Sequence, residues 1–114
     1  MNIPHILFIC SKNQWRSPTA EIIYRHDPRL NVRSTGTNAS ARKYVSETDL
    51  NWADLILVME NKHKKRIRDR YNYLNLPSII VLDIPDDYRY MNRELISIIE
   101  TSVEAILADI KSYL

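Results

Sequence analysis

Four apolar runs along the chain have the length and composition of buried strands. They span residues 3–9, 31–35, 55–59 and 78–82. The first and third are almost continuously apolar, which is typical of the central strands of a parallel sheet whose two faces are both covered. The second run is shorter and more polar, so we expect it to lie nearer to an edge of the sheet.

Helical periodicity alternates with these strands over residues 17–26, 60–72 and 92–114, and a short helix capped by Ser46 is expected before Trp52. The first helix should end at Asp27, because a residue before proline avoids helical geometry. In the third helix one face carries His63, Ile67, Tyr71 and Leu74. The last helix is predicted to turn inward Leu95, Ile98, Ile99, Val103, Ile106, Leu107, Ile110 and Leu114.

This alternation predicts an α/β fold, with one three-layer domain over residues 1–114. Its four-stranded parallel sheet should have helices on both faces, with the strands joined by right-handed crossovers. Ligands of such sheets bind beyond the carboxyl ends of the strands. Polar or reactive side chains follow all four predicted strands, so we expect them to meet at one edge.

The segment that follows the first strand has the residues of an anion site. Cys10, the only cysteine, is separated from Arg16 by Ser11, Lys12, Asn13, Gln14 and Trp15. A strand, a short loop and a helix direct backbone N–H groups and the helix dipole onto one anion. A helix N-terminus and a nearby cation favour the nucleophilic thiolate, and an arginine can pair two phosphoryl oxygens at once. The spacing predicts a phosphate loop with a thiol nucleophile.

Several side chains of this segment have two interpretations. Ser17 fits the N-cap of the helix, with Pro18 at the first helical position, but its hydroxyl could instead donate to the Cys10 sulfur. Asn13 tolerates the left-handed backbone that a tight loop needs. Trp15 either packs beneath the loop or stands at the mouth of the pocket. A lone cysteine after a strand is also common as a simple core residue.

Composition excludes several classes of function. The formal charge of +2 is too small to indicate nucleic acid binding, and no apolar run approaches the roughly 20 residues that span a bilayer. A single cysteine cannot form an internal disulfide, and a catalytic thiolate needs a reducing compartment, so a cytoplasmic protein is expected. The basic residues between 62 and 70 are either a solvated helix face or a surface that steers acidic or phosphorylated partners.

The stretch from Cys10 to Glu21 resembles the phosphate loop of the low-molecular-weight protein tyrosine phosphatases, whose pattern reads C-x-x-N-x-x-R-S-P-x-A-E. It is most similar to the short bacterial members usually labelled predicted protein tyrosine phosphatases. Three further matches follow in order at residues 34–37, at 53–60 with His63, and at 83–88. The resemblance covers most of the chain. It implies a cysteine-dependent phosphatase that acts on a phosphorylated protein or a small aryl phosphate and requires no metal or cofactor.

The resemblance also implies the roles of individual residues. Cys10 would be the nucleophile, Arg16 and the loop would bind phosphate, and Asp86 would be the general acid of the family's Asp-Pro-Tyr segment. Asp87 replaces the proline of that segment, so Asp87 and Asp83 remain rivals for the acid.

A supporting network is implied by the same resemblance, in which His63 joins Asn13, Ser17 and Ser34 and holds the loop open. Two other functions remain. The region of residues 36–52, which builds one wall of the family's cleft, is shortened, and this motivates a non-catalytic module that binds phosphate or phosphoproteins. Arsenate reduction uses a similar loop, but its thiol-cascade form needs further cysteines, and the chain has none.

Overall fold

The computed structural model describes residues 3–114. In chain order its elements are β1 (His5–Cys10), α1 (Arg16–Tyr24), β2 (Asn31–Gly36), α2 (Glu47–Trp52), β3 (Leu55–Val58), α3 (Asn61–Arg70), β4 (Ile79–Val81), α4 (Arg93–Ala108) and a final 3-10 turn (Ile110–Ser112). Among the described residues, no helix combines the length and the apolar character that crossing a membrane requires.

The four strands form one parallel sheet in the order β2-β1-β3-β4, which confirms the predicted fold class. β1 lies in the interior of the sheet, and β2 lies at an edge as expected. The chain leaves β1 towards β2 on one side and later returns to place β3 on the other side. The carboxyl end of β1 is therefore the topological switch point, where sheets of this kind bind ligands.

Side chains of β1 alternate between two cores, because successive residues of a strand face opposite sides of a sheet. Ile6 and Phe8 pack with α1 and α4, whereas Leu7 and Ile9 pack with α2 and α3. All four are completely buried. Burial on both faces explains the continuous apolar run of the first strand, and it holds the residue that follows, Cys10, at a defined place.

Two predictions about helix ends are wrong. The N-cap of α1 is Trp15 rather than Ser17, so Pro18 is the third residue of the helix. Trp15 makes no side-chain capping hydrogen bond there. Leu114 is 63% exposed instead of facing inward. The reason is that α4 ends at Ala108, and Asp109 (φ −126°, ψ 31°) turns the chain out of the helical register.

Replacement of Ser46 by alanine should weaken the anchoring of α2. The Ser46 hydroxyl accepts a hydrogen bond from the Asp49 N–H at 3.2 Å, and the Asp49 carboxylate accepts one from the Ser46 N–H at 3.3 Å. Loss of such a cap costs about 1 kcal/mol, to be measured as the free energy of unfolding in urea. The exposed Thr48, replaced by alanine, is the matched control and should be neutral or slightly stabilising. Equal losses in both variants would contradict the capping role.

Candidate active site

Cys10 ends β1 and lies almost buried, with 3% of its surface exposed. It lines a cavity of about 210 Å³ at the carboxyl edge of the sheet. The residues that share this cavity are Cys10, Ser11, Lys12, Gln14, Trp15, Arg16 and Asp86. The structure thus brings the predicted nucleophile, the predicted phosphate-binding arginine and the predicted acid to one small space.

A chain of hydrogen bonds supports the sulfur from behind. The Ser17 Oγ lies 2.9 Å from the Cys10 Sγ, and the Asn13 side-chain amide donates to both Ser17 Oγ and Ser34 Oγ, each at 2.9 Å. The Ser34 hydroxyl in turn donates to the Glu21 carboxylate at 2.6 Å. Both hydrogens of the Asn13 amide nitrogen are used, so the loop, α1 and β2 are joined through one buried side chain.

The direction of these bonds determines what Ser17 offers the sulfur. Its oxygen accepts from Asn13, so its single proton is free to point to the Cys10 sulfur or to the Thr35 carbonyl at 3.2 Å. A thiolate can only accept. When Cys10 is ionised, Ser17 can therefore donate to its sulfur, which is the second of the two roles considered for this residue.

Asn13 has a left-handed backbone (φ 53°) and is completely buried. Asparagine adopts this conformation at less cost than most residues. Its conformation reverses the loop so that the chain returns from Cys10 to the start of α1.

Arg16 is the largest side chain that is fully buried. One terminal nitrogen, Nη1, donates to the Glu60 carboxylate at 2.5 Å and to the Ile84 carbonyl at 2.8 Å, and Nε lies 3.5 Å from the Asp86 carboxylate. Partial burial alone would raise the pKa of Glu60, but the hydrogen bond and the charge of Arg16 outweigh it and lower that pKa. The guanidinium is thus held in place by an anion and a carbonyl from two other loops.

Asp86 is the one of the three candidate acids that lines the Cys10 cavity. Asp83 lines a different depression with Glu60 and Pro85, and Asp87 lines neither that depression nor the Cys10 cavity. The Asp86 side chain is 53% exposed, which places it where solvent and the cavity meet.

The segment that carries Asp86 is attached at both ends. The Ile84 N–H donates to the Met59 carbonyl at 2.8 Å, and the Ile84 side chain is completely buried. At the other end the Met91 N–H donates to the Thr19 hydroxyl at 2.9 Å. Met91 has a left-handed backbone (φ 61°), which is costly for a residue with a side chain. This bond to α1 is one of the contacts that hold it.

His63 contacts Ser11 rather than the three residues it was expected to join. Its Nδ1 accepts the Glu60 N–H at 3.1 Å, so its proton is on Nε2, which donates to the Ser11 Oγ at 2.8 Å. Burial, followed by the charge of Arg16, lowers the pKa of His63 to about 4. His63 is therefore neutral near pH 7 and holds the first residue of the loop.

The only glycine in the chain lies against the phosphate loop. A Cβ at Gly36 would lie 2.5 Å from the Ser11 carbonyl oxygen, 2.9 Å from the Asn13 nitrogen and 2.7 Å from the Ala41 Cβ. The segment that follows continues this contact, since the Arg42 guanidinium donates to the Asn13 carbonyl at 3.1 Å. Close backbone packing, not a positive φ, requires glycine here.

Trp15 stands at the edge of the cavity, half-buried, with the guanidinium of Arg89 5.5 Å from its ring centre. Of the two placements considered for this side chain, the structure has the one at the pocket mouth.

Known proteins were compared with this chain by sequence and by structure, and only the structures match. A scan against protein-family models finds no match, and a search of curated proteins finds none either. Solved structures do match over almost the whole chain. A low-molecular-weight protein tyrosine phosphatase from Streptococcus pyogenes superposes with a TM-score of 0.77 at 18% identity, covering 93% of this chain and 92% of the other.

The chain has the low-molecular-weight phosphatase fold. The tyrosine phosphatase Wzb from Escherichia coli K30, solved with phosphate, gives a TM-score of 0.75 at 20% identity, covering 95% of this chain and 99% of the other. The YwlE arginine phosphatase from Geobacillus stearothermophilus gives 0.72 at 19% identity, covering 96% and 94%. The fold that the sequence resemblance implied is confirmed.

Sequence reasoning missed two carboxylates in this low-molecular-weight phosphatase fold. Glu60 binds Arg16, and Glu21 ends the chain of bonds behind Cys10. Glu60 had a detectable signal, because it follows the third predicted strand and so had to lie at the same sheet edge as the arginine. Glu21 is part of the matched pattern, but nothing in its spacing indicates Ser34 as its partner.

Substitution of Gly36 by alanine should distort the phosphate loop, because two of the three contacts of the new Cβ are backbone atoms that cannot move aside. We expect a loss of about 1–3 kcal/mol in the free energy of unfolding, as for other overpacked sites. We also expect at least tenfold weaker binding of inorganic phosphate, measured by calorimetry. Ala41→Gly is the matched control, because it removes the one side-chain atom among these three contacts. Recovery in the double variant Gly36→Ala/Ala41→Gly would show that the side chain, not the backbone, causes the clash.

Lowering the pH should destabilise the protein through His63. Its pKa is about 4 in the folded protein and about 6.5 in the unfolded chain, so only the unfolded chain takes up this proton between those values. The contribution of His63 to the free energy of unfolding is therefore fully present above pH 6.5. It decreases as the pH falls towards 4, by an amount on the order of 3 kcal/mol.

The measurement for His63 is urea unfolding at pH 7 and pH 4.5. His63→Gln should lose part of this pH dependence, and the exposed His26, replaced by glutamine, is the control for loss of a histidine. An unchanged pH dependence in His63→Gln would contradict the assignment.

Proposed function

We propose that this protein is a cysteine-dependent phosphatase that hydrolyses phosphotyrosine or another aryl phosphate monoester through a thiophosphate intermediate on Cys10. The observation that carries the proposal is the Ser17 hydroxyl 2.9 Å behind the sulfur of Cys10, a residue that lines one cavity with Arg16 and Asp86. A cysteine kept only for packing needs none of these neighbours.

In the first step the Cys10 thiolate attacks phosphorus, and a sulfur–phosphorus bond forms as the bond to the phenolic oxygen breaks. Arg16 and the N–H groups of the loop stabilise the charge on the three equatorial oxygens. Asp86 gives its proton to the departing oxygen, so the product leaves as a neutral phenol.

In the second step water attacks the same phosphorus, and Asp86 takes the proton of that water. The sulfur–phosphorus bond breaks, its electron pair returns to Cys10, and inorganic phosphate leaves. The Ser17 hydroxyl donates to the returning thiolate, which makes the sulfur a better leaving group. Asn13 keeps Ser17 in the required orientation because its amide occupies the acceptor side of the hydroxyl oxygen.

Burial of the nucleophile favours an aromatic ester. Cys10 is only 3% exposed, so the phosphorus must reach well below the surface, and a flat ring extends further than the short side chain of phosphoserine. Trp15 at the cavity edge offers a face on which such a ring can stack.

A second candidate function is phosphate binding without turnover. It is favoured by the engagement of the Asp86 carboxylate with Arg16 Nε at 3.5 Å, because a carboxyl group held by the guanidinium is not available to protonate a leaving group. Arsenate reduction ranks below it, since Cys10 has no second thiol in the chain to continue a thiol cascade.

The decisive measurement is hydrolysis of phosphotyrosine, phosphoserine and phosphoarginine in reducing buffer. Phosphoarginine is included because one structural neighbour is an arginine phosphatase. We expect turnover of phosphotyrosine, none with Cys10→Ser, and a kcat about 100-fold lower with Asp86→Asn. A more acidic leaving group, such as nitrophenol, should reduce the loss in Asp86→Asn, because it departs without a proton.

Asp87→Asn and Asp83→Asn are the matched controls and should stay within a few fold of the native protein. A larger loss in either than in Asp86→Asn would reassign the acid. Phosphate binding without Cys10-dependent turnover of any ester would replace the enzyme with the binding module. Turnover of arsenate with added thiol, but of no phosphate ester, would favour the reductase.

A further inference from the structure

The basic face of α3 is not a uniformly solvated surface. The helix carries six cations, at Lys62, Lys64, Lys65, Arg66, Arg68 and Arg70. Four of them line a cavity of about 720 Å³, more than three times the volume of the Cys10 cavity. We call this cavity the basic groove. Its lining residues are Ser11, Thr37, Asn38, Lys62, His63, Lys65, Arg66, Asp69 and Arg70.

The charge of α3 is large for this chain. Six cations and the single carboxylate of Asp69 give the helix a net charge of +5. The whole chain is +2, so the rest of the sequence is −3. Positive potential is therefore concentrated at the basic groove rather than spread over the surface, and an anionic ligand would be drawn there.

Two of the groove cations have no carboxylate partner among the described residues. Lys65 pairs with Asp69 at 3.3 Å, and Lys62 lies 3.9 Å from Glu60. Arg66 and Arg70 form no such pair within 4 Å, and Arg70 instead lies over the Tyr44 ring at 4.9 Å. Both arginines are exposed and able to bind a ligand without breaking an existing ion pair.

The groove cations have a regular spacing. Lys62, Arg66 and Arg70 are four residues apart, so they follow one another along the same side of α3. Four residues of helix advance about 6 Å, and the row spans about 12 Å. Side chains on one side of an extended peptide repeat at about 6.6 Å. The row therefore fits carboxylates at alternate positions of an extended chain.

The basic groove begins at the phosphate loop. Ser11 lines both cavities. Two residues of the groove's lining are attached to the same loop, because the Thr37 N–H donates to the Cys10 carbonyl at 3.0 Å and the Asn38 N–H donates to the Ser11 carbonyl at 2.9 Å. A chain whose phosphorylated residue is bound at Cys10 can continue into the groove.

We propose that the basic groove binds an acidic segment of a phosphoprotein substrate that lies next to the phosphorylated residue and carries carboxylates at alternate positions. This inference rests on the proposed phosphatase function and names its substrate class. A single second phosphate would be bound best by a compact, buried group of cations. The cations here are exposed and lie in a row, which favours a peptide.

The test compares two phosphotyrosine peptides that differ only in three glutamates at alternate positions, replaced by glutamines in the second. The native protein should give about tenfold higher kcat/KM with the acidic peptide, a preference of about 1.4 kcal/mol. Arg66→Gln/Arg70→Gln should reduce this ratio to about twofold. A native ratio near one would overturn the proposal.

The matched control is Lys64→Gln/Arg68→Gln, which removes two charges from the same helix outside the groove. It should keep the tenfold ratio. If it loses as much as the groove variant, a general positive field explains the preference and the groove does not. A third peptide with the three glutamates in consecutive positions should be a poorer substrate, and an equal rate would contradict the alternate spacing.

Binding separates this inference from the proposed function. In a Cys10→Ser background, fluorescence anisotropy of the labelled peptides needs no turnover. The acidic phosphopeptide should bind about tenfold more tightly than its glutamine counterpart, and the groove substitutions should remove the difference. This result with an inactive native protein would keep the groove and reject the phosphatase. Equal affinities for the two peptides, together with an active native protein, would reject the groove and keep the phosphatase.

Discussion

The buried guanidinium of Arg16 is the constraint on which the site depends. A charged side chain that is 1% exposed costs several kcal/mol unless it is paired, and removal of one partner is strongly destabilising. Its partners come from beyond β3, through Glu60, and from beyond β4, through Ile84 and Asp86. One cation therefore joins three loops of the sheet edge, and these loops can adopt their positions only together.

The same charge acts on His63. Burial is the main cause of its lowered pKa and the nearby guanidinium the second, so the imidazole remains neutral and able to accept the Glu60 N–H. The orientation of Ser11 follows from that protonation state. The loop that follows Cys10 is thus held by charges and hydrogen bonds that need no ligand, which is the condition for a low reorganisation cost on binding.

Sequence patterns predicted the order of the elements and the parallel sheet because buried strands have a purely local signal, the continuous apolar run. They also predicted which residues would gather at the carboxyl edge. They could not predict the Arg16–Glu60 pair, which depends on how β1 and β3 are aligned. Nor could they place Ser17, because both of its roles use the same hydroxyl. The end of α4 at Asp109 has no proline or glycine to signal it. The catalytic and supporting roles of the site residues stay predictions.

The segment between Ile84 and Met91 determines how Asp86 is presented to the cavity. Both of its ends are attached, one to the carbonyl of Met59, directly after β3, and the other to Thr19 of α1. A span this short with fixed ends has few alternative conformations to lose when a ligand binds. Asp86 is therefore not on the tip of a loop that must close, but in a short segment whose two ends are fixed to the rest of the domain. The position of its carboxylate over the cavity is inherited from the sheet and the first helix, and a substrate has no need to assemble it.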